Sequence, residues 1–144
     1  MKVGIGSDHR GFKLKQALIA YLEEKEYSVI DFGTYSEQSC DYPEFAFKVA
    51  HAVENKEIVR GILICNTGIG MSMSANKKKA VRAANCFSHE LARYSREHND
   101  ANVLILGAGY IKEEMARQIV DIWFNTEFEG GRHLRRLEMF SEYT

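Results

Sequence analysis

Residues 61 to 70 read Gly-Ile-Leu-Ile-Cys-Asn-Thr-Gly-Ile-Gly. Cys65 closes an uninterrupted apolar run and is followed at once by the polar, glycine-punctuated Asn66, Thr67, Gly68, Ile69 and Gly70. That order places a thiol where a buried strand gives way to a tight loop. Met71 to Lys77 lacks Gly and Pro and carries its lysines late, which predicts a short helix. Loop amides and a helix start give positive potential beside the sulfur, a setting suited to a reactive cysteine. The competing reading is packing, since free cysteine is among the most buried residue types. Cys86, among apolar neighbours, is read as packing; position alone leaves Cys65 open between the two.

A cysteine before an amide-rich loop also suggests a phosphatase, whose site needs an arginine six residues on, but Met71 stands there. The phosphate loop that ends in Lys and Ser or Thr is missing as well. What remains is a cradle for an oxyanion. Such a cradle suits an enediolate, whose negative charge grows on oxygen while a nearby base removes a proton from carbon.

Asp8 and His9 follow the first strand pattern, so in a parallel sheet they share an edge with the Cys65 loop. Asp8 is equally at home as a turn or capping residue. His98, in Glu97-His98-Asn99-Asp100, stands before a strand in a loop rich in hydrogen-bonding groups, or serves simply as a helix C-terminal histidine. His51 and His89 read as surface helix residues. Arg132 and Arg136 are one helical turn apart, and arginines at a helix start are unfavourable on dipole grounds unless an anion meets them. Two guanidiniums there can grip a phosphate. Lys77, Lys78 and Lys79 read as a solvated loop.

The elements that position these groups follow from periodicity. Lys2 to Gly6, Val29 to Gly33, Ile62 to Cys65 and Asn102 to Leu106 read as strands, with Ala80 to Ala84 a weak fifth. Helical spacing of apolar residues runs over Phe12 to Tyr27, with lysines and glutamates on the outer side, and over Pro43 to Asn55, Ser88 to His98 and Ile111 to Phe124. A last charged helix runs from Arg132 towards Tyr143. Strands alternating with helices imply an α/β domain, Rossmann-like and three-layered, with a five-stranded parallel sheet and a C-terminal helix. The 144 residues suffice for one domain, taken as 1–144. A net charge of -1 gives no field to attract nucleic acid. No apolar stretch is long enough to cross a bilayer and no signal peptide precedes the first strand, so a cytoplasmic protein is expected. The three cysteines, odd in number and widely spaced, form neither a disulfide framework nor a zinc pattern.

Together, Gly6-Ser7-Asp8-His9, Asp41-Tyr42-Pro43, Gly61 to Cys65 with Thr67 to Gly70, Ser74 to Lys77, His98 to Val103 and Gly130-Gly131-Arg132-His133 resemble the ribose-5-phosphate isomerase B family over nearly the whole chain. The resemblance implies a metal-free aldose-ketose isomerase without cofactor, acting on a sugar phosphate as a homodimer or dimer of dimers with pockets at the subunit interface. It implies Cys65 as the base and Asn66 to Gly70 as the enediolate cradle. Thr67 and His98 would open the sugar ring, and Asp8, Tyr42 and Asn99 would orient hydroxyls. His9, Arg132 and Arg136 would bind phosphate. Two departures stand out: Asn66 where the family usually has glycine, and Gly109 where it commonly has a phosphate-assisting arginine. They leave open a six-carbon substrate, allose or galactose 6-phosphate, and behind that a non-catalytic sugar-phosphate sensor.

Overall fold

The computed structural model describes residues 1–141. Five parallel strands, β1 (Lys2–Ser7), β2 (Ser28–Asp31), β3 (Arg60–Cys65), β4 (Ala83–Asn85) and β5 (Val103–Gly107), form one sheet in the order β2-β1-β3-β5-β4. The helices are α1 (Phe12–Glu24), α2 (Tyr42–Glu54), α3 (Ile69–Ala75), α4 (His89–Glu97), α5 (Glu113–Asn125) and α6 (Arg132–Ser141). A 3-10 turn, His9–Gly11, joins β1 to α1. Tyr143, where the last helix is expected to run, lies outside the described residues.

Both faces of the sheet are covered, which is why β3 and β5 are apolar without alternation. Ile62, Ile64, Leu104 and Leu106 pack with Leu18, Leu22, Ile119 and Trp123 on the side of α1 and α5. Leu63, Cys65, Val103 and Ile105 face the other way, against Phe45 and Val49 of α2 and Met71 of α3. Cys65 is therefore the last residue of the α2/α3-facing row, at the rim of that core.

Several boundaries differ from those the sequence predicts. The helix expected from Met71 starts at Ile69, because Gly68 at φ +82° turns the chain into it. The weak strand runs over Ala83–Asn85, starting three residues and ending one residue later than expected, because Asn102 takes up the preceding backbone: Arg82 N–H donates to Asn102 Oδ1 (2.8 Å), and Asn102 Nδ2 to the Ala80 carbonyl (2.8 Å). The first helix stops at Glu24, where Glu26 at φ 68° leaves the helix. One lysine expected on its outer side is fully buried: Lys15 Nζ donates to both Asp31 carboxylate oxygens at 2.8 Å. The end of β2 supplies the charge that lets it stay there.

Candidate active site

In the order β2-β1-β3, the chain leaves β1 for one side and returns on the other, so a crevice opens beyond the carboxyl ends of β1 and β3. The loops after those strands meet there. Asp8 N–H donates to the Ile64 carbonyl (3.2 Å), which stitches the first loop to the end of β3. Asp8 is 6% exposed, and its Oδ1 accepts from the N–H groups of Arg10 (2.9 Å) and Gly11 (3.1 Å). The capping role weighed from sequence is thus real, but it uses one oxygen; Oδ2 has no partner among the described residues. His9 Nδ1 accepts from Cys40 N–H (3.2 Å), leaving Nε2 as the ring's free edge.

Cys65 is 5% exposed and its Sγ accepts from Gly68 N–H at 3.2 Å. The loop that delivers this N–H is held from several sides. Cys65 and Asn66 carbonyls accept from Ala108 N–H (2.8 Å) and Gly109 N–H (2.9 Å) in the turn after β5. The Thr67 carbonyl accepts from Asn85 Nδ2 (3.2 Å), and Thr67 Oγ1 accepts from Ile69 N–H (3.1 Å). A side chain at Gly68 would be doubly wrong, at positive φ and 2.6 Å from Asn85 Oδ1. Tyr42, first residue of α2, lays its ring so close to Gly70 that a Cβ there would sit 2.5 Å from it.

The two departures, Asn66 and Gly109, are one feature. Asn66 Oδ1 occupies the space that a Cβ at position 109 would need, with Asn66 Cγ only 3.0 Å from that point. The absent side chain at 109 therefore leaves no room for a longer sugar, because Asn66 fills it. Arg10 Nη2 donates to the same Oδ1 at 3.3 Å.

The rest of the expected site lies elsewhere. His98 is the C-cap of α4 and precedes β5, and Arg132 and Arg136 stand exposed on α6. Register pairs Gly61 with Val103 and Cys65 with Gly107, so His98 lies at the amino end of the sheet and Cys65 at the carboxyl end. At ~3.3 Å per residue the strand alone separates the two ends by roughly 13 Å. Within this chain His98, Asn99, Arg132 and Arg136 do not meet the sulfur.

At that second end the His98 ring stacks between Tyr94 (centroids 4.9 Å) and His133 (4.4 Å). Glu129 Oε1 is 3.6 Å from His98 Nε2 and 3.4 Å from His133 Nε2. The ligand-type atoms of this trio lie within 4.8 Å of one another, close enough to share a cation, a proximity that sequence spacing did not reveal. Asn99 is exposed beside Asp100, a turn residue at φ 47° whose carboxylate pairs with Arg96 at 2.8 Å. Arg10, Cys40, Asn85 and Glu129 were not singled out from sequence. Only Asn85, a polar residue closing a strand, carried a positional signal.

Fold and crevice define a doubly covered α/β protein with a thiol, loop amides and a carboxylate at the switch point of its sheet. The chain belongs to the Ribose/Galactose Isomerase family, which it matches over residues 3–140. It is 47% identical over 137 residues to ribose-5-phosphate isomerase B of Escherichia coli, covering 95% of this chain and 92% of that one. Its fold is similar to that of Clostridium thermocellum ribose-5-phosphate isomerase B, with TM-score 0.98, 50% identity and coverage of 99% and 97%. A Mycoplasma genitalium ribose-5-phosphate isomerase B with bound ribulose 5-phosphate matches with TM-score 0.94 and 42% identity, covering 99% and 95%. No helix among the described residues is long and apolar enough to cross a membrane.

Proposed function

We propose that this chain interconverts ribose 5-phosphate and ribulose 5-phosphate through an enediolate formed at the β1/β3 crevice. The observation that carries the reading is Cys65 at the end of β3, its sulfur accepting from Gly68 N–H and its strand tied to Asp8. In the open-chain aldose, the Cys65 sulfur takes the C2 proton; the electron pair moves into a C1–C2 double bond and charge develops on O1. The amide-rich loop from Asn66 to Gly70 is the cradle for that charge, with Gly68 N–H on the sulfur and Ile69 N–H on Thr67 Oγ1 in this arrangement; preorganised N–H donors are worth most where charge appears only in the transition state. The O2 hydroxyl then gives up its proton as O1 takes one, and the thiol returns its proton to C1, so that O1 ends as a hydroxyl and O2 as the ketone oxygen. The free Oδ2 of Asp8 and the hydroxyl of Tyr42 orient substrate hydroxyls, and His9 offers Nε2 to the phosphate.

The groups missing from the crevice come from a second copy of the chain, whose amino-end face brings His98, Asn99, Arg132 and Arg136 over Cys65. Ring opening falls to His98 with Thr67, and phosphate to the arginines. Apolar surface at both ends supports this assembly. Ile69, Phe87 and Tyr110, at 55%, 64% and 75% exposure, line a cavity of about 530 Å³ beside Thr67. Leu134 and Phe140 of α6 line another of about 640 Å³ beside Asn99. Such patches are costly to leave in water. No feature of the crevice favours a six-carbon substrate.

The test is turnover of ribose 5-phosphate in chelator, compared with allose and galactose 6-phosphates, for the parent and Cys65→Ala. The parent turns over the pentose phosphate fastest, and Cys65→Ala keeps its melting temperature while losing turnover and solvent proton exchange at C2. Full activity in Cys65→Ala removes the assigned base.

A further inference from the structure

We infer that Arg10 is a phosphate-binding cation of this crevice, carried on the first loop and held in place by Asn66; the inference rests on the isomerase reading only for the identity of the substrate that bears the phosphate. Its backbone is fixed, since Arg10 N–H donates to Asp8 Oδ1 at 2.9 Å. Its side chain is tethered as well. Nη2 reaches 56 residues along the sequence, from the loop after β1 to the loop after β3, and donates to Asn66 Oδ1 at 3.3 Å. The guanidinium thus spans the mouth of the crevice next to His9 and directly over the residue that follows Cys65.

The chemistry of the tether points to an anion. Among the described residues no carboxylate lies within ion-pair distance of Arg10, although eleven such pairs occur elsewhere among them. Its one side-chain partner among the described residues is a neutral amide oxygen, which fixes direction without cancelling charge. A guanidinium carries five N–H donors in a planar fork, so four remain, with the geometry that two oxygens of a phosphate accept.

Gly109 completes the case from the opposite wall. Because Asn66 Oδ1 stands where a Cβ at 109 would be, that wall cannot carry a side chain while Asn66 keeps its position. With residue 109 bare, Arg10 is the cation this chain presents on that side, and Asn66 is the positioning residue that aims it.

The experiment measures KM and kcat for ribose 5-phosphate, the inhibition constant of inorganic phosphate, and direct calorimetric binding of inorganic phosphate, in the parent, Arg10→Met, Arg10→Lys and Asn66→Ala. Arg10→Met raises KM and both phosphate constants about tenfold, which is about 1.4 kcal/mol, with kcat within about threefold. Arg10→Lys keeps charge without the fork and falls between parent and Arg10→Met. Asn66→Ala raises the phosphate constants less than Arg10→Met does, and adding it to Arg10→Met raises them no further. An Arg10→Met chain that binds inorganic phosphate and ribose 5-phosphate as tightly as an active parent overturns the proposal and leaves the isomerase reading standing. A parent that binds phosphate through Arg10 but moves no proton at C2 overturns the isomerase reading and upholds the cation.

Discussion

Placing a methyl group at position 109 tests whether Asn66 and Gly109 act as a unit. A Cβ there would fall on Asn66 Oδ1, 3.0 Å from Asn66 Cγ and 3.1 Å from the Asn66 carbonyl oxygen. The side chain can give way only by leaving Arg10, and the backbone oxygen cannot give way without loosening its bond from Gly109 N–H (2.9 Å). A lost side-chain hydrogen bond is worth ~1 kcal/mol, and overpacking in a loop that can partly relax sits near the lower end of ~1–3 kcal/mol. Gly109→Ala should therefore cost about 2 kcal/mol, a fall in melting temperature of roughly 4–8 °C for a chain of this size. Asn66→Ala alone loses only the exposed contact to Arg10 and should cost about 0.5–1 kcal/mol. In the double variant the clash with Oδ1 has vanished, so the combined cost falls short of the sum by about 1 kcal/mol. Urea titrations of the four chains measure this directly. Additivity within about 0.5 kcal/mol refutes the idea that one side chain excludes the other.

The remaining expectations are independent of that cycle. Asp31→Asn should destabilise more than Lys15→Met, by at least 1 kcal/mol in urea melts, because it strips the fully buried Lys15 of its carboxylate, whereas Asp31, at 28% exposure, can hydrate when Lys15 is lost; equal losses would refute the asymmetry. Burial pushes the Cys86 thiol up from its ordinary 9.0 to about 11, partly opposed by a hydrogen bond with Ser95. Between those values the unfolded chain gives up this proton while the folded chain keeps it, so stability is intact below pH 9.0 and falls by about 2–3 kcal/mol as pH rises through about 11. Cys86→Ala should flatten that part of the curve, and parallel curves for parent and variant would refute the assignment. Inactive Cys65→Ala and inactive His98→Asn, unfolded and refolded together, should recover about a quarter of parental turnover if each site draws on two copies; a mixture that stays silent would sink the shared site.

Much of the α/β architecture could be read because β3 and β5 are unbroken apolar runs and α2 and α5 carry clean helical stripes. Boundaries failed where a side chain overrode propensity, as Asn102 does for the segment before Ala83. Lys15 was misplaced for a related reason: periodicity marks a lysine as outward-facing, and only the pairing of β1 with β2 brings Asp31 to meet it. At the site, Asp8, His9 and the Cys65 loop could be placed together because parallel strands end on one edge. Arg10 could not, since its importance depends on reaching a residue 56 positions away. His98 and the arginines were recognisable by type and motif, while their distance from Cys65 emerges only from the register of β3 against β5.

Beyond its own internal bonds, the Cys65 loop is held from distant parts of the chain: Asp8 and Arg10 after the first strand, Tyr42 at the start of the second helix, Asn85 at the end of the fourth strand and Ala108 and Gly109 beyond the fifth. A nascent chain emerging in order would hold the sulfur, with Asp8 and Tyr42, before it held Asn85, Ala108 and Gly109, which complete the scaffold. Catalytic competence is thus a late event in this fold's assembly, and a polypeptide interrupted before residue 107 would carry the reagent without the tool.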